Sequence, residues 1–203
     1  MIRRSPQQRA AAGNALRRYE RLTAYGRVVL LSLLLYAPAF SSAAALQSPE
    51  YRVKAAFMYN FSRFVHWPAA EDGQAGNFTL CVLGHDPFGD ALNSLAGKQV
   101  RDRELDIRRI DDPALIDGCQ LVFIGGDNSD KLNSIMARLG DHPVLTVSDI
   151  DGFTDNGGII QFRLEDNKVR FSINIDAARQ AGLSISSKLL SLASNVLMTR
   201  QDN

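Results

Sequence analysis

Between Pro49 and Trp67 apolar side chains recur every three to four positions, with Val53, Phe57, Phe61 and Phe64 on one stripe and Ala56 and Asn60 beside it. That spacing predicts an amphipathic helix that needs a sheet to lie on. Short apolar runs follow at residues 78–84, 105–110, 120–126 and 143–148, each reading as a buried strand. Asp86 and Pro87 after the first run mark a helix start, and residues 129–139 supply another helix. Strands alternating with helices predict an α/β fold with a mainly parallel sheet covered by helices on both faces. The last third breaks the alternation. Residues 159–164 and 169–175 read as two strands joined at Glu165-Asp166-Asn167-Lys168, an antiparallel hairpin at one edge of the sheet. Beyond it Ala178, Ala181, Ile185, Leu189, Leu192 and Val196 keep helical spacing over residues 177–197, which predicts a long C-terminal helix. Gly182 and the serines 184, 186 and 187 are the features that would interrupt it.

The segment ahead of these elements has a different character. Arg17, Arg18, Arg21 and Arg27 precede an apolar stretch, residues 28–36, that gives way to Ser41-Ser42-Ala43-Ala44-Ala45. Basic, then apolar, then small is the order of a secretory signal peptide cut before Leu46, and the stretch falls short of the ~20 apolar residues of a membrane span. The expectation is a signal peptide over Met1–Ala45, one α/β domain over residues 46–203, and a periplasmic address with no membrane insertion after processing. The charge tally changes with that cut. The whole chain carries 23 basic and 22 acidic residues, whereas the part after Ala45 keeps 16 and 21, a formal charge of −5. Such a balance does not suit nucleic acid or an anionic bilayer as partner.

Candidate chemistry is thin. The three histidines, His66, His85 and His142, stand in no His-Glu-x-x-His pattern, and neither a Gly-x-Ser-x-Gly elbow nor a Walker loop occurs. No catalytic residue, metal or cofactor is therefore expected. Asp149, Asp151, Gly152 and Asp155 imitate part of a calcium loop without its closing glutamate. Strand-end loops are the usual ligand position in open α/β sheets, so Gly84, His85 and Asp86, with the polar Asn60 on its apolar helix, form the candidate pocket. Cys81 lies in the first strand of the alternating series and Cys119 just before the third. If those strands are neighbours, the two sulfurs are within reach of a disulfide, the alternative being two buried thiols.

Several segments together resemble the YfiR family. They are Val53-Lys54-Ala55-Ala56-Phe57 with Asn60-Phe61 and Trp67-Pro68, Leu83-Gly84-His85-Asp86-Pro87-Phe88-Gly89, and Leu145-Thr146-Val147-Ser148-Asp149. Gly157-Gly158-Ile159-Ile160, residues 169–174 and residues 181–190 continue the series in the same order. The resemblance implies a periplasmic repressor, not an enzyme, that binds an inner-membrane diguanylate cyclase of the YfiN type and lowers cyclic di-GMP and biofilm formation. A YfiB-type outer-membrane lipoprotein would relieve the inhibition. A second cysteine pair often seen in that family near residues 151–161 is missing here. The partner-binding face is expected in the irregular last third: Arg170, Ser172 and Asn174 on the outward side of the second hairpin strand, with Leu183 and Leu190 off the buried stripe of the C-terminal helix. A homodimer would use the same apolar surplus. A periplasmic small-molecule sensor and a hydrolase built from scattered Asp and His residues are the other classes the sequence leaves open.

Overall fold

A computed structural model describes residues 48–68 and 76–198. The expected leader, Met1–Ala45, lies outside them. The domain is α/β, built on one eight-stranded sheet with helices on both faces. Its helices are α1 (Pro49–Phe64), α2 (Asp90–Asn93), α3 (Leu132–Leu139), α4 (Ile175–Gln180) and α5 (Ser187–Leu190). Its strands are β1 (Val65–His66), β2 (Phe78–Leu83), β3 (Gln99–Val100), β4 (Arg103–Ile110), β5 (Leu121–Ile124), β6 (Leu145–Ser148), β7 (Ile160–Glu165), β8 (Lys168–Asn174), β9 (Ser184–Ile185) and β10 (Asn195–Leu197). The sheet order is β10-β8-β7-β6-β5-β2-β4-β3, and β1 pairs separately with β9. From β4 to β10 neighbours run parallel, except for the antiparallel β7–β8 hairpin. No helix among the described residues is long and apolar enough to cross a membrane.

Alternation along the central strands divides the interior in two. Leu80 and Val82 of β2 turn towards α1, where they join Met58, Phe61, Phe162 and Phe171. Cys81 and Leu83 turn the other way, to Ile135 and Leu139 of α3 and to Phe153. On the α1 side Phe61 stacks on Phe162 at 5.6 Å and meets Phe171 edge-on at 5.1 Å, geometries that aromatic quadrupoles favour. The helix is turned relative to the expected stripe. Lys54, Ala55, Met58, Phe61 and Ser62 are buried, Phe57 and Phe64 are half-buried, and Val53 is 45% exposed.

The hairpin turn takes the form its residues favour. Asp166 and Asn167 both have positive φ, 49° and 57°, as a two-residue type I′ loop requires. The hairpin lies one strand inside the edge, because β10 pairs in parallel with β8 beyond it.

The long C-terminal helix does not form. Its place is taken by α4, β9, α5 and β10 in succession. Gly182, at φ 69°, closes α4: its amide donates to the Arg179 carbonyl, and the Leu183 amide donates to the Ala178 carbonyl. This pair of bonds is the Schellman motif, which ends a helix wherever a glycine can take the left-handed conformation. Ser186 then caps α5 by accepting from the Leu189 amide. The helical spacing in the sequence is real, but the glycine and the serines give the backbone better local partners than a continued helix. Asp86 also departs from its expected role. Its Oδ1 accepts from the Phe88 and Gly89 amides in a turn, and the one-turn helix α2 begins only at Asp90.

Candidate functional site

Strand order reverses between β2 and β5, since β4 lies on one side of β2 while β5, β6 and β7 continue on the other. A hollow at the C-terminal ends of such a pair is where open α/β sheets bind ligands. Gly84 and Gly125 line it, and the protein's own side chains occupy it. Both Asp127 carboxylate oxygens accept from the His85 backbone amide, at 3.1 and 3.3 Å, and the Asn128 side-chain Nδ2 donates to the Leu83 carbonyl at 3.2 Å. A Cβ on Gly84 would stand 2.2 Å from Asn128 Nδ2 and 2.6 Å from Asp127 Oδ2, so both glycine and plug belong to one packed unit. The expected pocket of Gly84, His85 and Asp86 is thus filled rather than open. The His85 side chain points outward, and Asp86 Oδ2 holds the Arg109 guanidinium at 2.7 Å. Asn60 is half-buried on α1 and has no place in this cluster. Among the described residues no group of three or more His, Cys, Asp or Glu side chains is placed to hold a metal ion.

A second polar cluster lies where α1 meets the end of β6. The Lys54 side chain, 3% exposed, sends its ammonium to Asp149 at 2.6 Å and to Glu50, one turn back on the same helix, at 2.5 Å. The Tyr51 hydroxyl donates to Asp149 at 2.9 Å, and the same ammonium lies 4.3 Å from the Tyr51 ring centroid. Burial, reinforced by the Asp149 charge and hydrogen bond, pushes the Tyr51 phenol well above its ordinary value. A buried lysine needs such company, because removing a charge from water is costly unless it is paired. The cluster forms one wall of an open cavity of about 550 Å³ whose other wall is residues 162–165 of β7. The sequence hint was the Glu50–Lys54 spacing of four, which sets the pair on one helix face.

The residues expected to contact a partner are scattered in depth. Arg170 is exposed on β8 and Leu190 is half-buried against the main core. Ser172 is buried, and Leu183 is buried beneath the turn that ends α4. Neither is available as drawn from the sequence, since sheet neighbours cover the first and the broken helix carries the second inward. Asn174 serves the fold: it accepts from the Ala177 amide to cap α4 and donates to the Thr154 carbonyl at 2.9 Å. The exposed apolar side chains of this region are Leu192 and Met198, at 58% and 57%, with Val196 on the edge strand β10.

The Cys81 and Cys119 sulfurs are bonded, with Cα atoms 5.9 Å apart. The strand order makes this possible, since β2 and β5 are neighbours and Cys81 pairs in register with Val122. Residues 51–194, from the first turn of α1 to the approach to β10, match the family model described as YfiR/HmsC-like. The chain belongs to the YfiR/HmsC-like family. Both hydrophobic clusters, the disulfide and the Lys54–Asp149 cluster fall within the matched span. YfiR/HmsC-like membership supports, at the level of the family, a periplasmic regulator of cyclic di-GMP signalling that acts through protein contacts, the family being a regulatory rather than a catalytic one. The disulfide agrees with an exported YfiR/HmsC-like domain, because such bonds persist in oxidising compartments.

Proposed function

We propose that this YfiR/HmsC-like domain, exported and cut near Leu46, binds the periplasmic region of a YfiN-type membrane diguanylate cyclase and holds it inactive, with a YfiB-type lipoprotein relieving the repression. The observation that carries the reading is the family match over residues 51–194. Support for the location comes from the C-terminal margin of the sheet. There Leu192, Val196 and Met198 keep apolar surface in water around the short edge strand β10, which among the described strands pairs only with β8, and Arg170 stands exposed on β8. Apolar side chains left exposed together along one margin mark a contact surface, and an exposed Arg on the next strand suits its polar rim.

The filled hollow between β2 and β5 weighs against a sensor that binds its ligand there. The test uses Leu192→Glu, Met198→Glu and Arg170→Glu in the native host. Thermal midpoint, co-purification with the cyclase and cellular cyclic di-GMP are measured for each. The expected result is an unchanged midpoint with lost co-purification and raised cyclic di-GMP. Folded variants that bind and repress like the parent would move the interface elsewhere. A deletion strain with unchanged cyclic di-GMP would overturn the repressor reading itself.

A further inference from the structure

Strand β7 has two neighbours of unequal length. Its ladder with β8 runs from Ile160 opposite Ile173 to Glu165 opposite Lys168, whereas its ladder with β6 comprises only Val147 with Ile160 and Ser148 with Gln161. At Asp149 the chain leaves the line of β6 and turns towards Lys54. Along residues 162–165 the side of β7 turned away from β8 therefore has no strand beside it among the described residues.

The register shows which backbone groups face that side. The Asn174 amide donates to the Ile159 carbonyl at 2.8 Å, and antiparallel pairs alternate between bonded and non-bonded. Residues 161, 163 and 165 thus spend their amides and carbonyls on β8, and Leu164 presents its own to the free side. Its side chain is 52% exposed. The stretch carries no proline and no bulge, two of the devices that keep a strand edge from pairing, and its charged residues Arg163 and Glu165 turn their own main-chain groups to β8.

The free edge is also one wall of a groove, the cavity of about 550 Å³ described above. The facing wall is Glu50, Lys54, Asp149 and Asp151. Lys54 is already held by Glu50 and Asp149, so with Asp151, Glu165 and Arg163 the lining has two negative charges in excess. A strand entering here lies about 4.8 Å from β7, as any sheet neighbour does, and meets carboxylates on its other flank. We propose that residues 162–165 of β7 form a strand-addition site for an extended basic segment of a partner protein, which continues the line of β6 and sets its cationic side chains against Asp149, Asp151 and Glu50. Main-chain bonds to the edge give this mode its affinity and the flanking carboxylates its preference for charge. The site is distinct from the C-terminal margin invoked for cyclase binding and does not depend on that reading.

The probe is the capped peptide Thr-Lys-Val-Lys-Val-Lys-Thr, titrated to millimolar concentration into the exported, disulfide-bonded protein and followed by amide NMR. The expected result is a saturable shift at Leu164 and its neighbours, with slowed hydrogen exchange of the Leu164 amide. Methylating alternate peptide nitrogens keeps the charge and removes the donors, so that peptide binds about tenfold more weakly or not at all, the equivalent of one or two backbone hydrogen bonds. Replacing its lysines by glutamate abolishes binding. Leu164→Pro removes a donor that β8 does not use, so it preserves the hairpin and loses the peptide. Asp151→Lys, at an exposed position, leaves the thermal midpoint unchanged and weakens binding. Shifts that map away from residues 162–165, equal binding of the methylated peptide, or no saturable shift with the parent peptide would each overturn the proposal.

Discussion

Replacing Cys81, Cys119 or both by alanine tests the bond that ties β2 to the segment leading into β5. The two residues are 38 apart in sequence, and closing a loop of that length removes enough chain entropy from the unfolded state to stabilise the fold by about 4 kcal/mol. Both residues lie in the core on the α3 side, so alanine adds only a small void to the loss of the bond. For a domain of this size about 4 kcal/mol lowers the thermal midpoint by roughly 10 °C. In urea, with a slope of about 2 kcal/mol/M, it moves the midpoint by about 2 M. Cys81→Ala and Cys119→Ala should each show nearly the whole effect and release one titratable thiol. The double variant should cost no more than about 1 kcal/mol beyond either single one, because the bond is lost once. Urea unfolding with thiol titration of the denatured protein gives all the quantities needed. Single-variant costs that simply add, or a parent whose midpoint stays put when reduction frees two thiols, would refute the reasoning.

Lys54→Met leaves Glu50 and Asp149 without their cation. Because both carboxylates keep some contact with water, the expected loss is about 2–3 kcal/mol rather than the larger cost of a fully buried orphan, measured by urea unfolding near neutral pH. The raised Tyr51 pKa carries a pH signature: the unfolded chain releases that proton near pH 10, before the folded one does, so the contribution is complete below about pH 10 and lost above it. Tyr51→Phe should flatten the alkaline limb of the stability profile, and an unchanged limb would refute the assignment. Asn167→Val forces a β-branched residue into the left-handed region of the hairpin turn and should cost about 1–2 kcal/mol, whereas Asn167→Gly should stay within about 0.5 kcal/mol of the parent in thermal unfolding. Gly84→Ala, at φ 85° and pressed against Asp127 and Asn128, should cost about 2 kcal/mol or more by the same measurement.

The readable parts of this chain were those whose signal is local and repeated. The central strands announce themselves as apolar runs because helices cover both their faces, and Asp166-Asn167 specifies its turn with two residues able to take positive φ. The C-terminal stretch misled because Ala178, Ala181, Ile185 and Leu189 keep a three- to four-residue spacing while sitting on short separate elements that pack on one core, and Leu192 and Val196, which continue the spacing, are exposed. The bonds around Gly182 and the Ser186 cap distinguish the two arrangements. Periodicity likewise named the α1 stripe but missed its rotation, since a lysine in the buried arc becomes acceptable only when Asp149, 95 residues away, supplies its partner. The candidate pocket failed for a related reason. Gly84 and its loop were identified from sequence as a strand end, but whether a hollow there is open depends on where the Asp127 and Asn128 side chains rest. The truncated ladder between β6 and β7 leaves no mark in either strand's own sequence, being a matter of where the next loop departs.

The Asp127 carboxylate is a ligand that the chain carries with it. A tethered group reaches its seat at an effective concentration at or above millimolar, and no dilution or competing metabolism alters that figure. What would be an exchange between empty and loaded forms is here a fixed part of the folding equilibrium, paid once when the domain forms. Its amide contact at His85 is accordingly set by inheritance and not by the medium: a codon change at position 127 is what takes the carboxylate out of the hollow, with the Asn128 side chain still in place.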